Sequence, residues 1–148
     1  MKKILILILS VITSNIIYSQ CNGRYQTEIF NSVNKVTVNY SDIYNDGFHE
    51  MDIYTADGDT EINRPVIIFM HGGTFIGGDK STSDCVDFCE SFAKRGYVTI
   101  SMNYRIANNV ISFLTSNETQ FETVLKAVYD AKSVVRFLRK DFENGNNY

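Results

Sequence analysis

The chain has 148 residues, 44% of them hydrophobic and 21% charged, with a single proline, a composition that fits one folded domain and excludes a disordered or low-complexity segment. Its 17 acidic groups outnumber its 14 basic ones, which argues against a nucleic-acid partner. No internal repeat and no Pro- or Ser-rich linker divides it.

Residues 1–19 read as a secretory signal: Lys2 and Lys3, an apolar core from Ile4 to Ile12 broken only by Ser10, and Ser19 as the small residue before a cut. Thr13, Ser14 and Asn15 end the apolar run short of the roughly 20 residues that span a bilayer. Cleavage leaves 20–148 as one unit in a secreted or periplasmic setting. It also removes two lysines and no acid, moving the formal net charge from −3 to −5. Cys21 raises a lipoprotein reading, but Tyr18-Ser19-Gln20 lacks the small residue expected before a lipidated cysteine.

Three cysteines, Cys21, Cys85 and Cys89, leave one unpaired if two bridge. A Cys85–Cys89 bridge within one helical turn, a bridge from Cys21 to either, and buried free thiols all remain open. A zinc site lacks ligands, because the only histidines, His49 and His71, lie far from the cysteines in sequence.

Residues 33–40 alternate apolar and polar positions, Asn45-Asp46-Gly47 supplies a turn, and Met51–Thr55 alternates again, which predicts an antiparallel hairpin at a sheet edge. The acidic stretch 56–63 matches no calcium loop and reads as a solvated connection. Pro65–Met70 is apolar without alternation, the pattern of a strand covered on both faces. His71 and the glycine pairs 72–73 and 77–78 follow, where backbone N–H groups are free to point into a cavity. Ser81 or Ser83 is expected to cap a helix with Val86, Cys89, Phe92 and Ala93 on its apolar face and Gly96 as its stop. Tyr97–Tyr104 returns as a strand and closes a β-α-β unit. Residues 105–116 lack a clear period and read as a loop in which Val110–Leu114 packs as a surface flap. A long helix from Thr119 to about Lys140 presents Phe121, Val124, Leu125, Val128, Val135 and Leu138 at helical spacing.

His71-Gly72-Gly73-Thr74-Phe75 after an apolar strand resembles the HGGG-type motif of α/β-hydrolase carboxylesterases and lipases. Lys94–Val98 with Ser101–Arg105 resembles the helix-to-fourth-strand passage of secreted carboxylesterases, which ends in a Tyr-Arg pair. Tyr129-Asp130-Ala131 with Val135–Arg139 resembles the helix before their nucleophile strand. The likeness covers roughly residues 33–148. It implies an α/β fold with a mostly parallel sheet, an antiparallel edge hairpin and flanking helices. It assigns the oxyanion hole to the backbone N–H groups of Gly73 and Thr74, with Gly72 beside them, loop support to His71, and a substrate-lining place to Phe75. Thr74 stands where many members carry a third glycine, and its donor role is expected to require a negative φ.

The sequence contains no Gly-x-Ser-x-Gly, and in the family's chain order nucleophile, acid and base all follow the helix ending near Lys140. His49 precedes an edge strand, where a surface or packing role outweighs catalysis. The resemblance therefore implies the N-terminal portion of a secreted carboxylic ester hydrolase, acting on small or lipid-like esters without cofactor or metal. That portion carries the oxyanion loop without a catalytic triad and is inactive alone. Its apolar strand at 65–70 is then expected to lie at an uncovered edge, prone to association. The alternative is a non-catalytic product, truncated or decayed, or a fragment that binds through that edge.

Overall fold

The computed structural model describes residues 23–145 and 148; the proposed leader and Cys21 lie outside the described residues. Strand β1 (Val33–Asn39) pairs antiparallel with β2 (Glu50–Ala56), and a single 3-10 turn at Gly47–His49, capped by the Asp46 carboxylate, closes the hairpin. Strand β3 (Val66–Met70) leads through the glycine loop to helix α1 (Ser83–Lys94), and β4 (Val98–Met102) returns parallel to β3. A short helix α2 (Val110–Thr115) precedes the long helix α3 (Asn117–Asn144). The strand order is β1-β2-β4-β3, a mixed sheet with β1 and β3 at its edges.

The two faces of this sheet differ in chemistry. Met51 and Ile53 of β2, with Val98, Ile100 and Met102 of β4, point toward α3 and pack with its Ala127 and Val134. The alternate residues face α1, as the two-residue period of a strand requires. There Tyr54 packs with Cys89 and Ala93, the Thr99 hydroxyl donates to the Cys89 carbonyl at 2.7 Å, and the Ser101 hydroxyl donates to the Lys80 carbonyl at 2.7 Å. Asp52, 1% exposed, accepts from the Thr37 hydroxyl at 2.7 Å and pairs with the Lys80 ammonium at 2.9 Å. Thr99, Ser101 and Asp52 are thus paired as well as buried, which keeps their desolvation tolerable, whereas the Tyr54 hydroxyl is buried without a hydrogen-bond partner among the described residues.

Several expectations change in the fold. Thr82, not Ser81 or Ser83, is the N-cap residue of α1, and its hydroxyl donates to the Asp79 carbonyl while lying 3.0 Å from the Cys85 sulfur. Gly96, with φ +94°, follows the helix end, because a left-handed residue there lets the chain turn into β4. The 105–116 segment contains α2, capped by the Asn109 side chain; six residues are too few for a helical period to stand out. Cys85 and Cys89 are buried free thiols, so the bridge between them is absent. On α3 the buried positions are Thr123, Ala127, Asp130 and Val134, while Phe121, Val124, Leu125, Val128 and Val135 stay exposed. Strand β3 lies at the sheet edge, as expected of the strand at 65–70, and its two faces are only partly covered: Ile68 packs against the core under α3 and Phe69 on Phe88 of α1, while Val66 and Met70 are exposed.

Candidate oxyanion loop

The loop between β3 and α1 is shaped by left-handed residues. Gly73, Thr74 and Phe75 have φ values of +117°, +50° and +62° in succession, and Gly78 has +102°. The expected negative φ at Thr74 is therefore not adopted. The reason is the tight reversal after Gly73, whose carbonyl accepts from both Ile76 N–H (2.9 Å) and Gly77 N–H (3.2 Å). Left-handed backbone at Thr74 and Phe75 costs about 1–2 kcal/mol each, which the surrounding contacts must offset.

Those contacts come from the segment that follows β4. The Tyr104 hydroxyl donates to the His71 carbonyl at 2.7 Å, and Ala107 N–H donates to the Phe75 carbonyl at 2.7 Å. The His71 ring is 4% exposed, stacks on Tyr104 with centroids 4.3 Å apart, and donates Nδ1–H to the Gly72 carbonyl at 2.7 Å. Gly78 passes so close that a Cβ there would overlap the Gly72 carbonyl and the imidazole.

Three successive carbonyls are thereby tied down: His71 by Tyr104, Gly72 by the His71 ring, and Gly73 by Ile76 and Gly77. All peptide bonds are trans. In a trans peptide the N–H points opposite to the carbonyl of the same plane, so fixing those carbonyls aims the N–H groups of Gly72, Gly73 and Thr74 the other way. Among the described residues none of these three donors, nor the Phe75 N–H, has a hydrogen-bond partner in the structure. Such a run of pre-aimed donors suits a developing negative charge. Phe75 meets Tyr104 edge-on and joins Ile68, Met70 and Val124 in lining an apolar trough of about 480 Å³ between β3 and α3. On the other side of His71, a cleft of about 290 Å³ is bounded by Phe48, Gly78, Asp79 and Asn103.

The loop's support includes side chains to which sequence reasoning gave no site role. Asn103, 7% exposed, accepts from Lys80 N–H at 2.6 Å and donates to the Gly47 carbonyl at 2.8 Å and to Asp79 at 3.1 Å, joining the hairpin turn to the end of the loop. Asp130 of α3, 2% exposed, accepts from the Arg105 backbone N–H at 2.9 Å and from its guanidinium at 2.6 Å. The Tyr-Arg and Tyr-Asp-Ala segments, quoted separately for their resemblance, meet through this pair. His49 is outside the loop. It is buried and not at the surface, stacked on Tyr44, with Nδ1 2.6 Å from Asp46 and Nε2 3.8 Å from Asp130. No cluster of three or more His, Cys, Asp or Glu suited to a metal occurs among the described residues. Nor is any described helix long and apolar enough to cross a membrane.

A family model described as BD-FAE matches residues 51–146. Among solved structures, a truncated form of a carbohydrate esterase from gut microbiota superposes with a TM-score of 0.54 at 18% identity, covering 80% of this chain and 36% of that one. Esterase B from Lactobacillus rhamnosis superposes with the same TM-score and identity, covering 93% of this chain and 39% of that one. The same esterase in a structure with a C4-C4 SN3 tributyrin phosphonate gives 0.54, 18%, 93% and 40%. At this identity the likeness is one of fold. This chain spans 36–40% of the length of those solved chains. No curated protein matches the sequence.

Proposed function

The chain belongs to the BD-FAE family, and from that membership we propose that it carries the oxyanion-binding half of a secreted carboxylic ester hydrolase. The observation that carries this reading is the set of three adjacent N–H groups, each in a peptide whose carbonyl is held from behind. A serine attacking an ester carbonyl forms a bond to carbon while the carbonyl π electrons move onto oxygen. The N–H groups of Gly73 and Thr74, with Gly72 beside them, receive that charge. One such donor is worth roughly 3–4 kcal/mol, a hundredfold or more in rate. His71 acts on the Gly72–Gly73 peptide, not on the substrate proton, and Phe75 lines the acyl or alcohol side.

No serine of this chain sits in a Gly-x-Ser-x-Gly turn, so the nucleophile, with its acid and base, belongs to polypeptide other than these 148 residues. Lys2, Lys3 and the apolar run after them support export. A second, non-catalytic reading is favoured by the open apolar edge of β3.

Amide NMR of the isotopically labelled chain titrated with butylphosphonate tests the oxyanion reading. The Gly72, Gly73 and Thr74 signals are expected to move most, and His71→Phe, which keeps the stacked ring but lacks Nδ1, is expected to weaken the response. Shifts confined to other amides refute it.

A further inference from the structure

The cleft of about 290 Å³ beside His71 is walled by the hairpin turn, the end of the glycine loop and the residues that follow β4. No residue of β3 or α3 lines it, so it does not depend on what occupies the place beside the β3 edge. Its polar lining is one-sided. Asp46 and Asp79 are its carboxylates, and among the described residues no lysine or arginine lines it. Lys80, next in sequence, turns its ammonium to Asp52 and Glu50, and Arg105 is engaged by Asp130. The Asn103 amide nitrogen donates to both the Gly47 carbonyl at 2.8 Å and Asp79 at 3.1 Å, which brings the hairpin turn and Asp79 together across one atom. Hydrogen bonds from the Ser81 hydroxyl and backbone and from Asn103 hold the Asp79 carboxyl below the ordinary carboxylate range, against the effect of its partial burial. Asp46 Oδ1 accepts from Phe48 N–H and meets His49 Nδ1, while its second oxygen has no hydrogen-bond partner among the described residues.

The imidazole in the same wall points to a ligand independently. His71 is 4% exposed, and with Nδ1–H donating to the Gly72 carbonyl, Nε2 of the neutral ring is an acceptor. Nε2 has no partner among the described residues, yet unlike Nε2 of His49 it is not sealed from solvent. Because the ring lines the cleft, that is where the lone pair lies open. Gly78 packs against Nδ1 and so sets Asp79, the next residue, beside the ring.

We propose that this cleft is a subsite for a primary ammonium group. Three acceptors line it, His71 Nε2 and the carboxylates of Asp46 and Asp79, and a primary ammonium brings three N–H donors and one positive charge. Phe48 and Tyr104 add aromatic rings to the same wall, which favours a cation further. A carboxylate or phosphate is repelled from the cleft by both acids. A neutral hydroxyl carries no charge to answer them, and a quaternary ammonium has no N–H for Nε2. The site stands on these observations alone. Its role rests on the ester-hydrolase reading, under which it selects esters that carry a primary amine on the part lying against His71.

Amide NMR of the labelled chain titrated with ethylammonium chloride, at an ionic strength held constant with sodium chloride, tests the subsite. Saturable shifts are expected at the Gly47, Phe48 and Gly78 amides and the Asn103 side-chain amide, with ethanol and tetramethylammonium each binding at least fivefold more weakly. Asp79→Asn is expected to weaken ethylammonium binding at least fivefold. That substitution also touches the bonds to Ser81 and Asn103, so Phe48→Ala, at a residue 46% exposed, is the second variant. It is expected to weaken binding at least twofold with far-ultraviolet circular dichroism unchanged. No saturable shift, an equal response to ethanol or tetramethylammonium, or an affinity unchanged in both variants overturns the proposal. The phosphonate titration described above reads Gly72, Gly73 and Thr74 instead. A lost phosphonate response beside an intact ammonium response removes the role and leaves the subsite, so the two readings fail separately.

Discussion

Replacing Gly78 by alanine places a methyl group against the hydrogen bond that fixes the Gly72 carbonyl in the loop between β3 and α1. The new Cβ would overlap the Gly72 carbonyl oxygen and the His71 Nδ1, and would lie 2.8 Å from His71 Cε1. Two costs combine. An L-residue in left-handed backbone, here φ +102°, costs about 1–2 kcal/mol. Pushing the imidazole off the Gly72 carbonyl forfeits a hydrogen bond worth about 1 kcal/mol in a largely buried setting. The total is about 2–3 kcal/mol, a large share of the roughly 5–15 kcal/mol that stabilises a domain. With a urea slope of about 2 kcal/mol per molar, the unfolding midpoint falls by about 1–2 M. The matched control is Gly72→Ala, where an added Cβ meets nothing within 4 Å and φ is not left-handed, so the change is expected within about 0.5 kcal/mol. Urea unfolding followed by far-ultraviolet circular dichroism, at one fixed protein concentration, compares the two. Equal midpoints for Gly78→Ala and Gly72→Ala would refute the claim that Gly78 is where His71 and the loop are locked together.

Asp130→Asn keeps the shape of the side chain but removes the charge facing the Arg105 guanidinium, and is expected to destabilise the chain by about 3 kcal/mol in the same assay; a loss below 1 kcal/mol would mean that the pair is expendable. Burial alone would raise the Asp59 carboxyl pKa, but hydrogen bonds from Arg24, the Glu61 N–H and the nearby charge of Arg64 hold it below the ordinary carboxylate range. A depressed folded-state pKa contributes stability that is present above the unfolded value near 4 and is lost as pH falls through the folded one. Wild-type stability is therefore expected to fall below about pH 4 more steeply than that of Asp59→Asn, and parallel profiles would show the contribution to be absent. Burial pushes the Cys89 thiol up to about 12, and Cys85 is buried beside it. In a Cys21→Ser background, neither is expected to react with a disulfide reagent until urea unfolds the chain, and prompt labelling of the native form would contradict the packing under α1.

Local pattern was enough to find the strands and the long helix, because alternation in Val33–Asn39 and the apolar run at Val66–Met70 carry their own period. Which surfaces those elements bury is a tertiary matter. The stripe from Phe121 to Val135 satisfies the helical period, yet the helix turns Ala127, Asp130 and Val134 inward, because Asp130 answers Arg105 and the small Ala127 allows close approach to the sheet. The apolar run of β3 likewise reports its composition and not the number of its neighbours. The loop's residues were legible from His71-Gly72-Gly73. The left-handed turn at Thr74 and Phe75 was not, since a threonine followed by a phenylalanine gives no local signal for positive φ. Asn103 and Asp130 escaped as supports because their partners lie 23 to 56 residues away in sequence.

The chemical difference between the two faces of the sheet also acts as a check on strand alignment. Asp52 lies opposite Ser101, Ile53 opposite Ile100 and Tyr54 opposite Thr99. Sliding β2 by one residue against β4 would turn the Asp52 carboxylate into the hydrocarbon layer under Val134 and leave Ile53 among the thiols and hydroxyls beneath α1. An unpaired carboxylate in that layer costs several kcal/mol, far more than thermal energy. A misaligned hairpin therefore gains little by collapsing onto the long helix, and the nascent sheet has a single alignment in which both helices can dock.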